Sequence, residues 1–189
     1  MSQPRNVAVI VGSLRKDSVT RKVARAIEAL APPNLKFDEV PIGDLPLYDQ
    51  DSEADAPPAY VAFRDRLRNA DAVLFATPEY NRSVPGALKN AIDVGSRPYG
   101  HSVWNGKPAA IVSVSPGAIG AFGANHHLRQ SLVFLNMPTL QQPEAYVGNA
   151  FSLFGDNGEL VNEATAEFLR GFAQSFADWI EQTAPAASR

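Results

Sequence analysis

The sequence predicts an α/β fold, a doubly wound parallel sheet covered by helices on both faces. Three observations predict it. Val7–Val11, Ala72–Ala76 and Ala109–Val114 are continuous apolar runs, the pattern of strands buried on both sides. Segments of helical period stand between them. Each of the three runs also empties into a loop of small and polar residues. With 189 residues, a single domain over 1–189 is the expectation, long enough to bury a sizeable core.

The elements follow in order. After Val7–Val11 a helix begins near Val19 and sets Val23, Ala24, Ile27 and Leu30 along one face, until Pro32-Pro33 stops it. Lys36–Val40 alternates and is short, as an outer strand is. A loop, Pro41–Pro58, leads to a helix near Ala59–Asn69 that carries Phe63 and Leu67 inward. The second and third apolar runs come next, separated by a helix after Pro85, with Ser83 and Pro85 marking its start. Leu128, Leu132 and Leu135 mark another helix, and a weaker strand is expected near Thr139–Gln142. Phe154–Leu160 reads as a turn or small hairpin, a surface decoration. The last helix, about Glu163–Gln182, places Phe168, Phe172, Phe176, Trp179 and Ile180 on one stripe, and Ala184–Arg189 is expected to fray. Five strands with helices between them leave two strand orders open, the Rossmann and the flavodoxin type. Both bind ligands beyond the carboxyl ends of the strands.

Composition narrows the function. A net charge of -3 argues against nucleic acid as a partner and is far milder than the surface of a dedicated acidic electron carrier. There are no cysteines, so disulfides, thiolate metal sites and cysteine nucleophiles are excluded. Redox chemistry would need a bound cofactor. Val7–Val11 is too short for a signal core or a membrane span, and a cytoplasmic protein is the expectation.

Three loops could carry chemistry. Gly12–Thr20 lacks the Gly-x-Gly-x-x-Gly spacing of dinucleotide sites and the Gly-Lys-Ser/Thr of a Walker loop. It offers the hydroxyls of Ser13, Ser18 and Thr20, the Arg15 guanidinium and a helix N-terminus, which together suit a terminal phosphate. A plain strand–helix turn capped by serine is the bland alternative. Thr77–Gly86 places Pro78, Glu79, Tyr80, Asn81 and Arg82 directly after a buried strand; an aromatic, an amide and exposed N–H groups there suit a planar heterocycle. Ser113–Gly120 is small enough to let a ligand lie against backbone.

Gly12-Ser13-Leu14-Arg15 with Ser18, Thr77-Pro78-Glu79-Tyr80-Asn81 and Gly86-Ala87-Leu88-Lys89-Asn90-Ala91-Ile92-Asp93 resemble the NADPH-dependent FMN reductases, most nearly their bacterial quinone and chromate reductases. His127-Leu128-Arg129-Gln130 and Pro143-Glu144 look like the same subgroup, and the likeness extends to about residue 145. It implies a flavodoxin-like sheet of order 2-1-3-4-5 holding FMN noncovalently. By that likeness Ser13, Arg15, Ser18, Val19 and Thr20 surround the phosphate. Pro78, Glu79, Tyr80, Asn81 and Arg82 line the isoalloxazine, chiefly through backbone groups, and Ser115 and Gly117 approach its other edge. It further implies a homodimer or homotetramer with flavin sites near the interface, and no metal.

Four departures from the family pattern stand out. Asp17 replaces a common glycine beside the phosphate, and Thr20 replaces asparagine. Arg82 replaces tyrosine, at a place where it could attract the extra phosphate of NADPH. His126 replaces a tyrosine that pairs across subunits with the position of Glu144. The expected chemistry is ping-pong transfer from NADPH or NADH through FMN to a small acceptor: a quinone, azo dye, chromate, ferric chelate or flavin. The flavin performs it, and no side chain is assigned as acid or base. The rivals are a flavodoxin-type electron carrier that does not oxidise nicotinamide and a non-redox nucleotide-binding regulator.

Overall fold

A computed structural model describes residues 3–183; the tail Ala184–Arg189 lies outside them. Five parallel strands form one sheet in the order β2-β1-β3-β4-β5: β1 is Arg5–Val11, β2 Leu35–Glu39, β3 Ala72–Thr77, β4 Ala109–Val114 and β5 Ala145–Val147. The helices are α1 (Val19–Leu30), α2 (Pro58–Arg68), α3 (Gly86–Gly95), α4 (Phe122–Phe134) and α5 (Glu163–Thr183). The flavodoxin-type order is therefore the one adopted.

Alternation within the strands builds two cores. Val7, Val9 and Val11 face α1 and α5, packing on Val23, Ile27, Phe172 and Phe176. Ala8 and Ile10 face the other way, onto Phe63 and Leu67 of α2, Leu88 of α3 and Leu128 of α4. Both faces are apolar because both are covered, which is why β3 and β4 are buried at every residue. Among the described residues no helix is long and apolar enough to cross a membrane.

Four details differ from the sequence reading. Thr139 makes only an isolated bridge to Ala109, and the named strand starts later, where Ala145 pairs with Val112. Pro138 and Pro143 lack the N–H that a continuous ladder needs, so the segment loops out between its two contacts. Phe168 is partly exposed, and Leu169 takes its place on the buried stripe of α5. Pro85 is itself the N-cap of α3, and no side chain caps that helix; Ser83 bonds elsewhere. Leu135 is the C-cap of α4. The Phe154–Leu160 hairpin forms as expected, closed by an antiparallel bridge.

Candidate flavin site

The three loops leave the carboxyl ends of β1, β3 and β4, neighbours in the sheet. In the first, the Gly12 N–H still bonds the Ala76 carbonyl at 2.8 Å, so the chain leaves the sheet only at Ser13. Ser18 caps α1: its hydroxyl accepts from the Arg21 N–H at 3.2 Å. The Val19 and Thr20 N–H groups lie in the first helical turn, before any intrahelical acceptor, and no acidic residue shares that turn. Ser13 and Thr20 are buried there, at 4% and 2% exposure. Asp17 is exposed. Its side chain is in solvent, which relieves the repulsion its position threatened.

Arg21, which the sequence reading passed over, holds this loop in shape. Its guanidinium donates to the Ser13 carbonyl at 3.2 Å, to the Arg15 carbonyl at 2.9 Å and to Glu39 Oε1 at 2.8 Å. Two carbonyls that could repel an anion are thereby turned back toward β2. No local motif announces this, because the fork spans the loop and reaches a neighbouring strand.

The second loop is a two-residue turn. Tyr80 and Ser83 exchange both backbone hydrogen bonds at 3.0 Å, and Asn81 and Arg82 between them have φ of 53° and 64°. Positive φ at both central residues is the type I′ geometry. Asparagine adopts it readily; in Arg82 it costs about 1–2 kcal/mol. The Glu79 carboxylate accepts from Arg82 of the turn at 3.3 Å and from the Ala124 N–H, at the start of α4, at 3.0 Å. That helix begins at Ala121 with no side-chain cap of its own, so a residue 45 positions earlier caps it. Gly123 makes room: a Cβ there would stand 2.9 Å from Glu79 Oε2 and 3.2 Å from the Arg82 carbonyl. Glu79→Ala is expected to cost about 1 kcal/mol of stability, the usual worth of a cap, with Glu79→Gln recovering part of it. Thermal melts of the three proteins check this.

First and second loops meet. Gly12, Leu14, Arg15, Tyr80, Pro85 and Gly86 line a shared cavity of about 450 Å³, and a Cβ on Gly12 would crowd Leu88 at 3.2 Å and Pro78 at 3.3 Å. Arg15 and Tyr80 thus face one space. Ser115 and Gly117 do not line it. The Ser115 hydroxyl accepts from the Gly117 N–H at 3.0 Å, while the Gly117 carbonyl takes the N–H groups of Gly120 and Asn149. The third loop is occupied mainly with holding itself against β5. It feeds α4, on which the second loop docks through Glu79.

His126 pairs within its own chain. Its Nε2 lies 2.9 Å from the Tyr146 hydroxyl and 4.0 Å from Glu144, while Arg129 lies 3.9 Å from the same carboxylate. Burial and the neighbouring Glu144 push the Tyr146 hydroxyl up to about 12.

The residues at the first loop fit a flavin phosphate: N–H groups at a helix start, buried hydroxyls, a nearby guanidinium and carbonyls tied back. The model of the NADPH-dependent FMN reductase family matches residues 5–152. A quinone reductase of Pseudomonas putida is 65% identical over 182 residues, covering 96% of this chain and 97% of that protein. A 2-hydroxy-1,4-benzoquinone reductase of Burkholderia is 47% identical, covering 92% and 95%. Among solved structures, FerB of Paracoccus denitrificans, a flavoenzyme NAD(P)H:(acceptor) oxidoreductase, superposes with a TM-score of 0.91 at 46% identity, covering 96% of this chain and all of that one. The loops after β1 and β3 lie inside the matched span, and the chain belongs to the NADPH-dependent FMN reductases, a family of flavin-using oxidoreductases.

Proposed function

We propose that the chain is an FMN-dependent NAD(P)H:quinone oxidoreductase. The observation that carries this reading is the cavity in which Arg15, from the anion-binding loop, and Tyr80, from the turn after β3, face each other. Ser13, Arg15, Ser18, Val19 and Thr20 hold the FMN phosphate, with Ser18 giving chiefly its backbone and cap geometry. Pro78, Glu79, Tyr80, Asn81 and Arg82 support the isoalloxazine, Glu79 from behind, and Ser115 and Gly117 border the far side. Bound FMN supplies hydride acceptance at N5 and two-electron delivery to an acceptor. The quinone reductases among the relatives support a quinone as that acceptor.

The purified protein is expected to be yellow, or to turn yellow on FMN addition, and to bleach with NADPH and recover with a benzoquinone. A colourless protein that takes up no FMN overturns the reading. Bleaching by dithionite but not by NADPH makes it an electron carrier instead.

Arg82 governs donor choice. Its side chain is 79% exposed and, among the described residues, pairs with Glu79 at 3.3 Å, so it is free to meet a phosphate beside the turn. Arg82→Ala should raise KM for NADPH about fivefold, the worth of roughly 1 kcal/mol at an exposed ion pair, and leave KM for NADH unchanged. Equal changes for both donors refute the assignment. We further place the enzyme in the cytoplasm as a homodimer or homotetramer with flavin sites near the interface. The exposed Tyr99, Val133 and Phe134 supply apolar surface for assembly.

A further inference from the structure

The Phe154–Leu160 hairpin takes no part in the flavin loops, yet it is built with care for its position. The Gly155 N–H bonds the Glu159 carbonyl and the Gly158 N–H bonds the Gly155 carbonyl, both at 2.9 Å, which fixes a tight tip. Gly158 has φ of 81°, a conformation that favours glycine. The tip rests on α1: a Cβ on Gly158 would stand 3.6 Å from Lys22 Cε.

Between the hairpin, α1 and the start of α5 lies a groove of about 430 Å³. It shares no lining residue with the flavin cavity. It lies on the face of the sheet covered by α1 and α5, opposite the α3–α4 face that displays Tyr99 and Phe134. Along α1 it runs from Lys22 to Leu30, about 12 Å at the helical rise of 1.5 Å per residue. Ala26, Leu30, Phe154 and Leu160 line it and are themselves packed on the core beneath, so these walls are formed before any ligand arrives.

The rest of the lining is cationic. Lys22 Nζ stands 5.9 Å from the centre of the Phe154 ring, and Arg25 follows three residues later on the same side of the helix. Among the described residues neither cation forms an ion pair. Glu159 is the one carboxylate in the lining, and it folds against Gly155, where any Cβ would collide with it. The lining residues thus carry a net charge of +1, which a carboxylate neutralises and a phosphate dianion exceeds.

We propose that this groove is a second ligand site, for a small aromatic carboxylate. The anionic group sits between Lys22 and Arg25, and the ring lies against Phe154 and Leu160. A guanidinium and an ammonium both donate charge-assisted hydrogen bonds to a carboxylate. An aromatic pair is worth about 0.5–1.5 kcal/mol beyond the area it buries, which selects a ring over an acyl chain. The hairpin is the wall that makes an otherwise open helix face into a groove.

FMN-loaded protein titrated with 2-naphthoate tests the site by calorimetry and amide NMR, independently of turnover. The expected Kd is on the order of 0.1 mM, with shifts confined to the amides of Lys22, Arg25, the hairpin and Ala166. Lys22→Gln and Arg25→Gln should each weaken binding about fivefold at an unchanged melting temperature, and Phe154→Leu about threefold. Inorganic phosphate and 2-naphthol each supply half of the recognition and should bind at least tenfold more weakly. Octanoate should bind about fivefold more weakly, for want of the ring. Unaltered affinity in both glutamine variants overturns the proposal, as does equal binding of 2-naphthol or of octanoate. So does a perturbed flavin absorbance with the hairpin signals unmoved, which would put the ligand on the flavin instead.

Discussion

Arg21→Ala is expected to weaken FMN binding about 30-fold, roughly 2 kcal/mol, without unfolding the protein. The figure follows from what the side chain holds. Its guanidinium makes hydrogen bonds to two loop carbonyls and a salt bridge to Glu39, and its side chain is about one-fifth exposed. Bonds from a charged donor are worth about 1.5–3 kcal/mol when partly shielded. In the folded apo protein the loop can relax into solvent, so most of the cost appears only when a phosphate demands one loop shape. Preorganisation is what is lost, and the loss belongs to affinity more than to stability. Arg21→Lys should recover little, because a single ammonium cannot fork to both carbonyls and the carboxylate. Fluorescence titration of FMN into the apo variants measures this, alongside thermal melts. A change in affinity below threefold would show that the loop keeps its shape without the fork.

Asp17 and Arg21 illustrate what a chain reveals and what it conceals. The apolar runs, the helix stop at Pro32-Pro33 and the loop after each buried strand were legible because each depends on residues close together in the chain. The shape of the loop after β1 was legible for the same reason: Ser18 caps the helix it precedes, and Ser13 and Thr20 flank it. Asp17 read as a threat because sequence gives proximity without direction; in the fold it points into solvent. Arg21, the Glu79 cap on α4 and the Ser83–His127 bond were not legible. Each joins elements that meet only after the sheet has wound, across 44 or 45 positions for the last two. Gly123 has the same origin, since its missing side chain is needed only where the second loop docks. The late start of β5 was legible in principle: Pro138 and Pro143 bracket the segment read as a strand.

The largest effect on stability lies at the other end of the sheet. Trp104 belongs to the segment between α3 and β4, yet it is fully buried. Its ring lies 6.2 Å from Phe63 and 5.8 Å from Phe75, and its Nε1 donates to the Ile92 carbonyl at 2.9 Å. Trp104→Ala should therefore cost about 3–5 kcal/mol, enough to lower the melting temperature by roughly 10 °C in a chain of this length. FMN affinity should stay within twofold, because Trp104 packs under the C-terminal end of α3 while the flavin loops border its N-terminal end. Trp104→Phe should cost less, since Ile92 keeps a second donor in the Ser96 N–H at 3.1 Å. The site also imposes a glycine. A Cβ on Gly95 would stand 2.5 Å from the Trp104 ring, so Gly95→Ala must displace the indole and should destabilise by about 1–3 kcal/mol. The smaller phenylalanine ring leaves room for that methyl group, so Gly95→Ala should cost less in the Trp104→Phe background than in wild type. A double-mutant cycle in urea measures the coupling. Additive costs would mean that the helix yields at Gly95 rather than the ring, and a fall in FMN affinity would mean that the two ends of α3 move together.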